Sequence, residues 1–447
     1  MTAPPTVYAI DFGTSNSLLA AANADDVFAP IRLDEGAADP TVLRSILYFP
    51  DRGQAFLGEE ALRRYAEDGL EGRLLRSLKR HLPSRSFHGT VIRGRLMVIE
   101  DLVAVIVRAM RERANVHFGA DVRRVVLGRP ARFSSDDADD DLAQERLARA
   151  AQRAGFDEIH FLPEPVAAAR DFRAALAAQA AQGAASTDAG LVLVCDFGGG
   201  TSDFTVMRLG ARPFARSDVL AVGGVPIAGD ALDASIMRGH VARNFGADVV
   251  YRVPTGKNVL EMPLSIVQQL CSPAHLSVLR RPDIAEFLRN VRGWSLGPDD
   301  RAKLDQLATL VDDGLGFQIF EAIERAKRAL SVDPASEVIF SYPGIDVCEP
   351  IDRSGFEAGA ATPIEGVLRC LDETVAAAGV APVDIDVVCC TGGTAKVPAL
   401  ADAISARFGR EKLRDFRTFH SVVQGLAEQA RQVAAGAGPS PHVFASR

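Results

Sequence analysis

Apolar residues along the chain gather into short runs, alternating or unbroken, at 7–11, 17–22, 125–128, 191–196, 203–209, 338–342 and 385–390. Runs of that length and period predict strands. Between them apolar positions recur every three or four residues over 101–115, 141–154, 164–180, 230–245, 317–331, 364–379 and 397–408, which predicts helices. Strands alternate with helices, so the fold class is α/β. The segments 7–20 and 191–209 each hold two strands joined by a turn too short for a crossover helix, and both read as hairpins. The acidic cluster SSDDADDDLAQE at 134–145 reads as a capped helix start, favoured by the helix dipole. Two stretches break the rhythm. Residues 174–190 are rich in Ala and Gln and extend a helix into a loop, while 250–316 mix prolines, the single Trp and helical fragments, as a separate subdomain would. Beyond about residue 430 the chain reads as a frayed tail.

Composition changes this picture mainly by exclusion. The 447 residues suffice for two or three domains, and 47% hydrophobic with 24% charged residues is ordinary for a globular chain. Fifty basic against 58 acidic residues give a formal charge of -8, the opposite of a nucleic-acid-binding surface. No run of about 18 strongly apolar residues predicts a membrane span. The amino terminus lacks the basic-then-apolar order of a signal peptide. The six cysteines form no C-x-x-C pair and show no metal-ligand spacing to the eight histidines, and the adjacent Cys389 and Cys390 read as small buried thiols. A reducing, cytoplasmic location is the expectation.

The candidate chemistry lies in the turns. VYAIDFGTSNSLLA (7–20) and LVCDFGGGTSDFTV (193–206) each run a strand into an Asp, then glycine, then Thr. A glycine turn lets backbone N–H groups approach an anion closely. Thr14, Ser15, Asn16 and Thr201 add side-chain donors. Asp11 and Asp196 repel phosphate but suit Mg²⁺, which bridges to phosphate oxygens. One Asp-x-Gly turn alone is an ordinary hairpin loop; two strand-flanked copies suggest a duplicated fold clamping a polyphosphate. No G-x-x-x-x-G-K-[ST] occurs, which excludes a P-loop. A third turn, in DIDVVCCTGGTAKVPAL (384–400), ends a strand on Gly392-Gly393, with Thr394 positioned to cap a helix.

Together the three turns resemble the phosphate and adenosine motifs of the actin-like ATPase superfamily, and within it the DnaK-type heat-shock protein 70 family. FLPEPVAAAR (161–170), IERAKRALS (323–331) and LGRPARFS (127–134) are similar to that family's connecting motif, adenosine helix and proline-ended strand. The resemblance covers about residues 7–430. It implies two lobes, 1–190 and 191–430, each built on a duplicated ribonuclease-H-like mixed sheet with helices. The nucleotide cleft would lie between them, the second lobe would carry an enlarged subdomain at about 230–330, and 431–447 would form a flexible tail. It implies ATP or ADP and Mg²⁺ as ligands, with Asp11 and Asp196 orienting hydrated metal. Gly13, Thr14, Ser15 and Asn16 would hold the outer phosphates opposite Gly198, Gly199, Gly200 and Thr201. Lys79 would reach the γ-phosphate, Glu164 would position the attacking water, and Asp203 would support the second turn. Glu324, Lys327, Arg328 and Ser331 would hold adenosine, beside Gly392, Gly393, Thr394 and Lys396. Read as residues alone, Glu164 is a favourable carboxylate at a helix start. Lys79 sits in a basic stretch of the kind that is usually a solvated face, and 324–331 is the polar stripe of an amphipathic helix.

The implied activity is slow ATP hydrolysis that drives lobe opening and closing, with a co-chaperone or client protein as partner. An actin-like filament protein, a sugar or small-acid kinase, or a pseudo-ATPase that binds without turnover are the other readings. Four departures stand out: neither a linker nor a β-rich peptide-binding domain follows, 250–316 is long, Lys396 replaces the family's usual Arg, and Phe419-His420 replace an acidic pair. These traits resemble a short, YegD-like branch.

Overall fold

The structure, a computed structural model, describes residues 3–68, 71–134, 136–171, 190–209, 216–272, 275–415, 420–437 and 442. The Ala- and Gln-rich stretch falls almost wholly outside these residues, as do Phe419 and most of the expected tail. The chain forms two compact units: Met1–Gly224 with Cys370–Gly392 and Ser405–Arg447, and Val225–Arg369 with Gly393–Ile404.

The first unit holds two sheets of the same design. In one, Val7–Phe12 pairs antiparallel with Asn16–Ala22, then parallel with Arg124–Arg129, which pairs parallel with Glu158–Pro163. In the other, Leu191–Phe197 pairs antiparallel with Ser202–Arg208 and parallel with Val387–Thr391, followed in parallel by Leu413–Asp415. Both predicted hairpins are present, in matching positions within their sheets. Strand order thus bears out the duplication read from the two Asp-Phe-Gly turns.

Alternation explains why these strands look nearly continuously apolar. Tyr8, Ile10 and Phe12 enter a core with Ile106, Met110, Leu147 and Phe156, whereas Val7 and Ala9 face the opposite side. That opposite core is shared by both sheets: Leu18 and Val126 from one, Val192, Val194 and Cys389 from the other. A strand buried on both faces has no position for a polar residue until it ends.

Two helices complete the shared core, one over residues 164–171 and one at His420–Ala434. They pack closely because Gly425 faces the first helix, and a Cβ there would lie 1.9 Å from the Ala167 carbonyl oxygen. Ile99–Phe118 and Asp137–Arg153 cover the other face. The acidic cluster caps the latter as expected: Asp136 accepts from the Asp139 N–H at 3.0 Å.

The second unit contains the helix Gly229–Ile236, the helix Gly316–Leu330, and the hairpin Ala335–Tyr342 with Ile345–Asp352. The stretch 250–316, expected as a separate subdomain, lies within this unit. It supplies a short strand pair and the helices Leu264–Leu270, Pro282–Trp294 and Asp300–Asp312 to this unit. Lys303 binds Asp248 at 2.7 Å, and Gln306 donates to the Asn244 carbonyl at 3.2 Å. No helix among the described residues is long and apolar enough to cross a membrane.

Gly425→Ala should lower stability by about 1–3 kcal/mol, the usual range for overpacking, measured by urea unfolding. Unchanged stability would show that the two helices separate freely.

Candidate functional site

Each hairpin turn is shaped by its glycines. A Cβ on Gly13 would lie 2.1 Å from the Asn16 carbonyl oxygen, and Ser45 Oγ donates to the Gly13 carbonyl at 2.8 Å. Thr14 and Asn16 are half-buried and Ser15 is exposed. In the second turn the Gly198 N–H donates to the Thr201 carbonyl at 2.9 Å, and Thr201 Oγ1 donates to Asp203 Oδ2 at 3.1 Å. The Arg80 guanidinium lies over Gly200, 2.7 Å from where a Cβ would stand.

Lys79 is not on a solvated face. Ser77, at φ 57°, turns the chain after Arg73–Arg76, and the short turn Leu78–His81 then points inward. Lys79 is buried, and its Nζ donates to Glu164 Oε1 at 2.5 Å. Glu164 opens the helix 164–171, as its sequence position suggests, so the helix dipole and the lysine both favour its charge.

Around this pair the carboxylates outnumber the cations. Burial, then the Glu164 charge, pushes Asp11 up to about 8 against the pull of Lys79, with Asp196 adding to the rise. Burial and then Asp196 push Asp203 up to about 7; the two residues face each other across the hairpin. Burial also raises Glu164, opposed by Lys79. Burial by itself would discharge Lys79, but Glu164, Asp11 and Asp196 outweigh it and hold its pKa above the ordinary lysine value.

Four carboxylates therefore share one ammonium, a deficit that a divalent cation would correct. The described residues offer no ready cage of three or more His, Cys, Asp or Glu groups. Mg²⁺ keeps several waters and needs only one or two carboxylates, which Asp11 and Asp196 would supply at the two strand ends.

Sequence reasoning missed Thr391, Arg129 and Arg80. Thr391 Oγ1 donates to Asp196 Oδ1 at 2.6 Å, fixing the carboxylate at the end of its strand. Its only signal is a hydroxyl closing the otherwise apolar run VVCCT. Arg129 acts on Glu164 electrostatically while bound to Asp140 at 2.7 Å.

The residues expected to hold adenosine lie in the second unit, apart from Gly392 at the end of the first unit's segment. Ile319, Ile323, Ala326 and Leu330 form the expected apolar stripe. Lys327 departs from the expected polar stripe: it is buried, pairs with Asp233 at 2.7 Å and lies 3.3 Å from the Gly229 carbonyl. Burial raises Asp233 to about 6 against the pull of Lys327. Arg328 is exposed, and Glu324 and Ser331 are half-buried. The turn Gly393–Lys396 holds Thr394 buried and Lys396 exposed. Gly392, at φ +88°, passes so close to the Phe197 carbonyl that a Cβ would lie 1.9 Å away.

The family model described as Hsp70 protein matches residues 85–260 and 310–440, well over half of the chain. The chain belongs to the Hsp70 family. Among similar Hsp70-family proteins are the chaperone protein DnaK of Thermosipho melanesiensis, 24% identical over 97% of this chain and 60% of the relative. The chaperone protein HscA homolog of Pseudomonas fluorescens is 25% identical over 95% of this chain and 57% of the relative. The chain thus spans less than two thirds of the length of these curated relatives. The matched region of this Hsp70-family chain contains Glu164, both parts of the second hairpin and the adenosine helix.

A carboxyl that titrates near 7 when folded and near 3.8 when unfolded gives the folded state the extra proton between those values. The stability contributed by Asp203 is thus full at acid pH and is lost as pH rises toward 7. For ligand-free protein, Asp203→Asn should lose less stability than wild type between about pH 5 and about pH 8 in urea unfolding. An equal loss would place the titration on another group.

Proposed function

We propose that this chain is the ATPase module of a chaperone-like protein, binding Mg-ATP and hydrolysing it slowly to drive opening and closing of two lobes. The lobes are 1–190 and 191–430, each built on one of the hairpin sheets. One observation carries the reading: the Lys79–Glu164 pair, at 2.5 Å, stands among Asp11, Asp196 and Asp203 beside two glycine turns. The likeness to DnaK and HscA chaperones supports it.

In this reading the amides of Gly13 and Gly198–Gly200, with Thr14, Ser15, Asn16 and Thr201, receive the phosphates. Asp11 and Asp196 hold hydrated Mg²⁺, with Asp203 supporting the second turn. When bound, the metal neutralises phosphate oxygens that the carboxylates would otherwise repel. An arriving γ-phosphate offers Lys79 a stronger partner than Glu164. As the ammonium turns to it, Glu164 Oε1 is freed to accept a proton-bearing water and align it for attack. Phosphoryl transfer needs little beyond such positioning and charge stabilisation.

Glu324, Lys327, Arg328 and Ser331 take the adenosine, with Gly392, Gly393, Thr394 and Lys396. The partner is a client or co-chaperone protein, and the location cytoplasmic.

Glu164→Ala and Lys79→Ala should each slow single-turnover ATP hydrolysis about 100- to 1,000-fold, the scale of losing one transition-state contact, while retaining nucleotide binding. Wild-type turnover in Lys79→Ala would remove the lysine from the reaction, and no ATP binding by the wild type would end the proposal. Lys396→Arg should tighten ATP binding by up to about tenfold, because a planar guanidinium stacks on adenine better than an ammonium. Titration calorimetry with equal affinities for the two would refute that role.

A further inference from the structure

Cys195 and Cys390 are register partners on the adjacent parallel strands Leu191–Phe197 and Val387–Thr391. Burial, and then the neighbouring Cys390, push the Cys195 thiol above its usual range. Facing residues on paired strands stand about 4.8 Å apart, inside the Cα separation of about 4.4–6.8 Å that a disulfide spans. Cys195 is fully buried, whereas Cys390 is partly exposed. Cys389 points to the opposite face, into the core with Val192 and Val194, and its register partner Val194 has no thiol. The next rung carries Asp196 and Thr391, joined by their 2.6 Å hydrogen bond.

We infer that Cys195 and Cys390 form a peroxide-sensitive dithiol site whose closure disturbs the neighbouring Asp196–Thr391 pair. Cys390, the thiol that solvent reaches, attacks a peroxide oxygen; the O–O bond breaks, Cys390 becomes a sulfenic acid and one water leaves. The Cys195 sulfur then attacks the Cys390 sulfur, the S–O bond breaks, and a second water leaves with the thiol proton. Two thiols lose two electrons and the peroxide gains them. A disulfide fixes the Cβ separation at about 3.8 Å and the S–S torsion, so closure constrains the backbone one residue before Asp196, where Thr391 Oγ1 lies 3.5 Å from the Cys195 carbonyl and donates to Asp196. A reductant of the dithiol class reverses it.

The test treats the full chain with hydrogen peroxide, alkylates the remaining free thiols and maps linked peptides by mass spectrometry. The expected result is a Cys195–Cys390 link, lost in Cys390→Ala, retained in Cys389→Ala and removed by dithiothreitol. Both thiols remaining alkylatable, or Cys390 oxidised singly to a sulfinic acid, would overturn the site. The second readout rests on the nucleotide-binding reading: ADP affinity should fall about tenfold on oxidation and recover on reduction. A mapped link with unchanged ADP affinity would overturn the coupling to Asp196. Should the reduced protein bind no ADP, the nucleotide reading fails, while the peptide map still decides the dithiol site.

Discussion

An ammonium buried among carboxylates is the constraint on which the first unit turns. Lys79 reaches its place only because Ser77 reverses the chain, and it stays charged only because Glu164, Asp11 and Asp196 surround it. Breaking a buried ion pair by deleting one partner commonly costs about 3–5 kcal/mol, because the other charge is left uncompensated. Here the excess of carboxylates softens that penalty. Asp11 and Asp203 titrate near neutrality, so the cluster sheds surplus negative charge by binding protons. On the proposed reading, a cation arriving with a polyphosphate would replace those protons. The cluster is thus held in a state that favours added positive charge.

The duplicated sheets explain how so many acids converge. Asp11 and Asp196 occupy equivalent places, near the end of a central strand that pairs antiparallel with the next strand and parallel with a later one. Both strands are buried on two faces, so a polar side chain is tolerated only where the strand runs out of core. Strand length therefore fixes where the carboxylates emerge. The shared core beneath, closed by Gly425 against Ala167, fixes the two ends relative to each other within this unit.

What the sequence made legible follows from range. The hairpins were readable because a period-two pattern, a glycine turn and the returning strand lie within a few residues. The capped helix at Asp136 and the apolar stripe of Gly316–Leu330 were local in the same way. Lys79 resisted because its stretch is basic on all sides, and the partner that buries it is 85 positions away. Thr391 carries no motif; its meaning appears only when register sets it beside Asp196. The strand Ile345–Asp352 alternates strictly between buried and exposed, yet Pro350 and its acidic residues disguise it. The 250–316 stretch read as independent because its prolines interrupt each pattern, whereas contacts such as Lys303–Asp248 bind it into the second unit. Cys390, grouped with buried thiols by its neighbours, is partly exposed because it falls on the other face from Cys389.

The two buried lysines invite comparison, since both rest on carboxylates and the proposed reading gives each a ligand to hold. Their prospects differ with the chemistry each would meet. A γ-phosphate is a multiply charged acceptor, able to draw the Lys79 ammonium from a single carboxylate. A ribose hydroxyl is neutral, and it cannot replace the Asp233 charge that Lys327 would forfeit by leaving. Lysine has three donors, however, and beside its ion pair with Asp233 the Lys327 ammonium donates to the Gly229 carbonyl. On the proposed reading a remaining donor would serve a hydroxyl without any movement. On the proposed reading one lysine would be a moving part that answers to the phosphate, and the other a fixed donor held in place by its ion pair, so the same buried pairing would yield a switch in one unit and a rigid contact in the other.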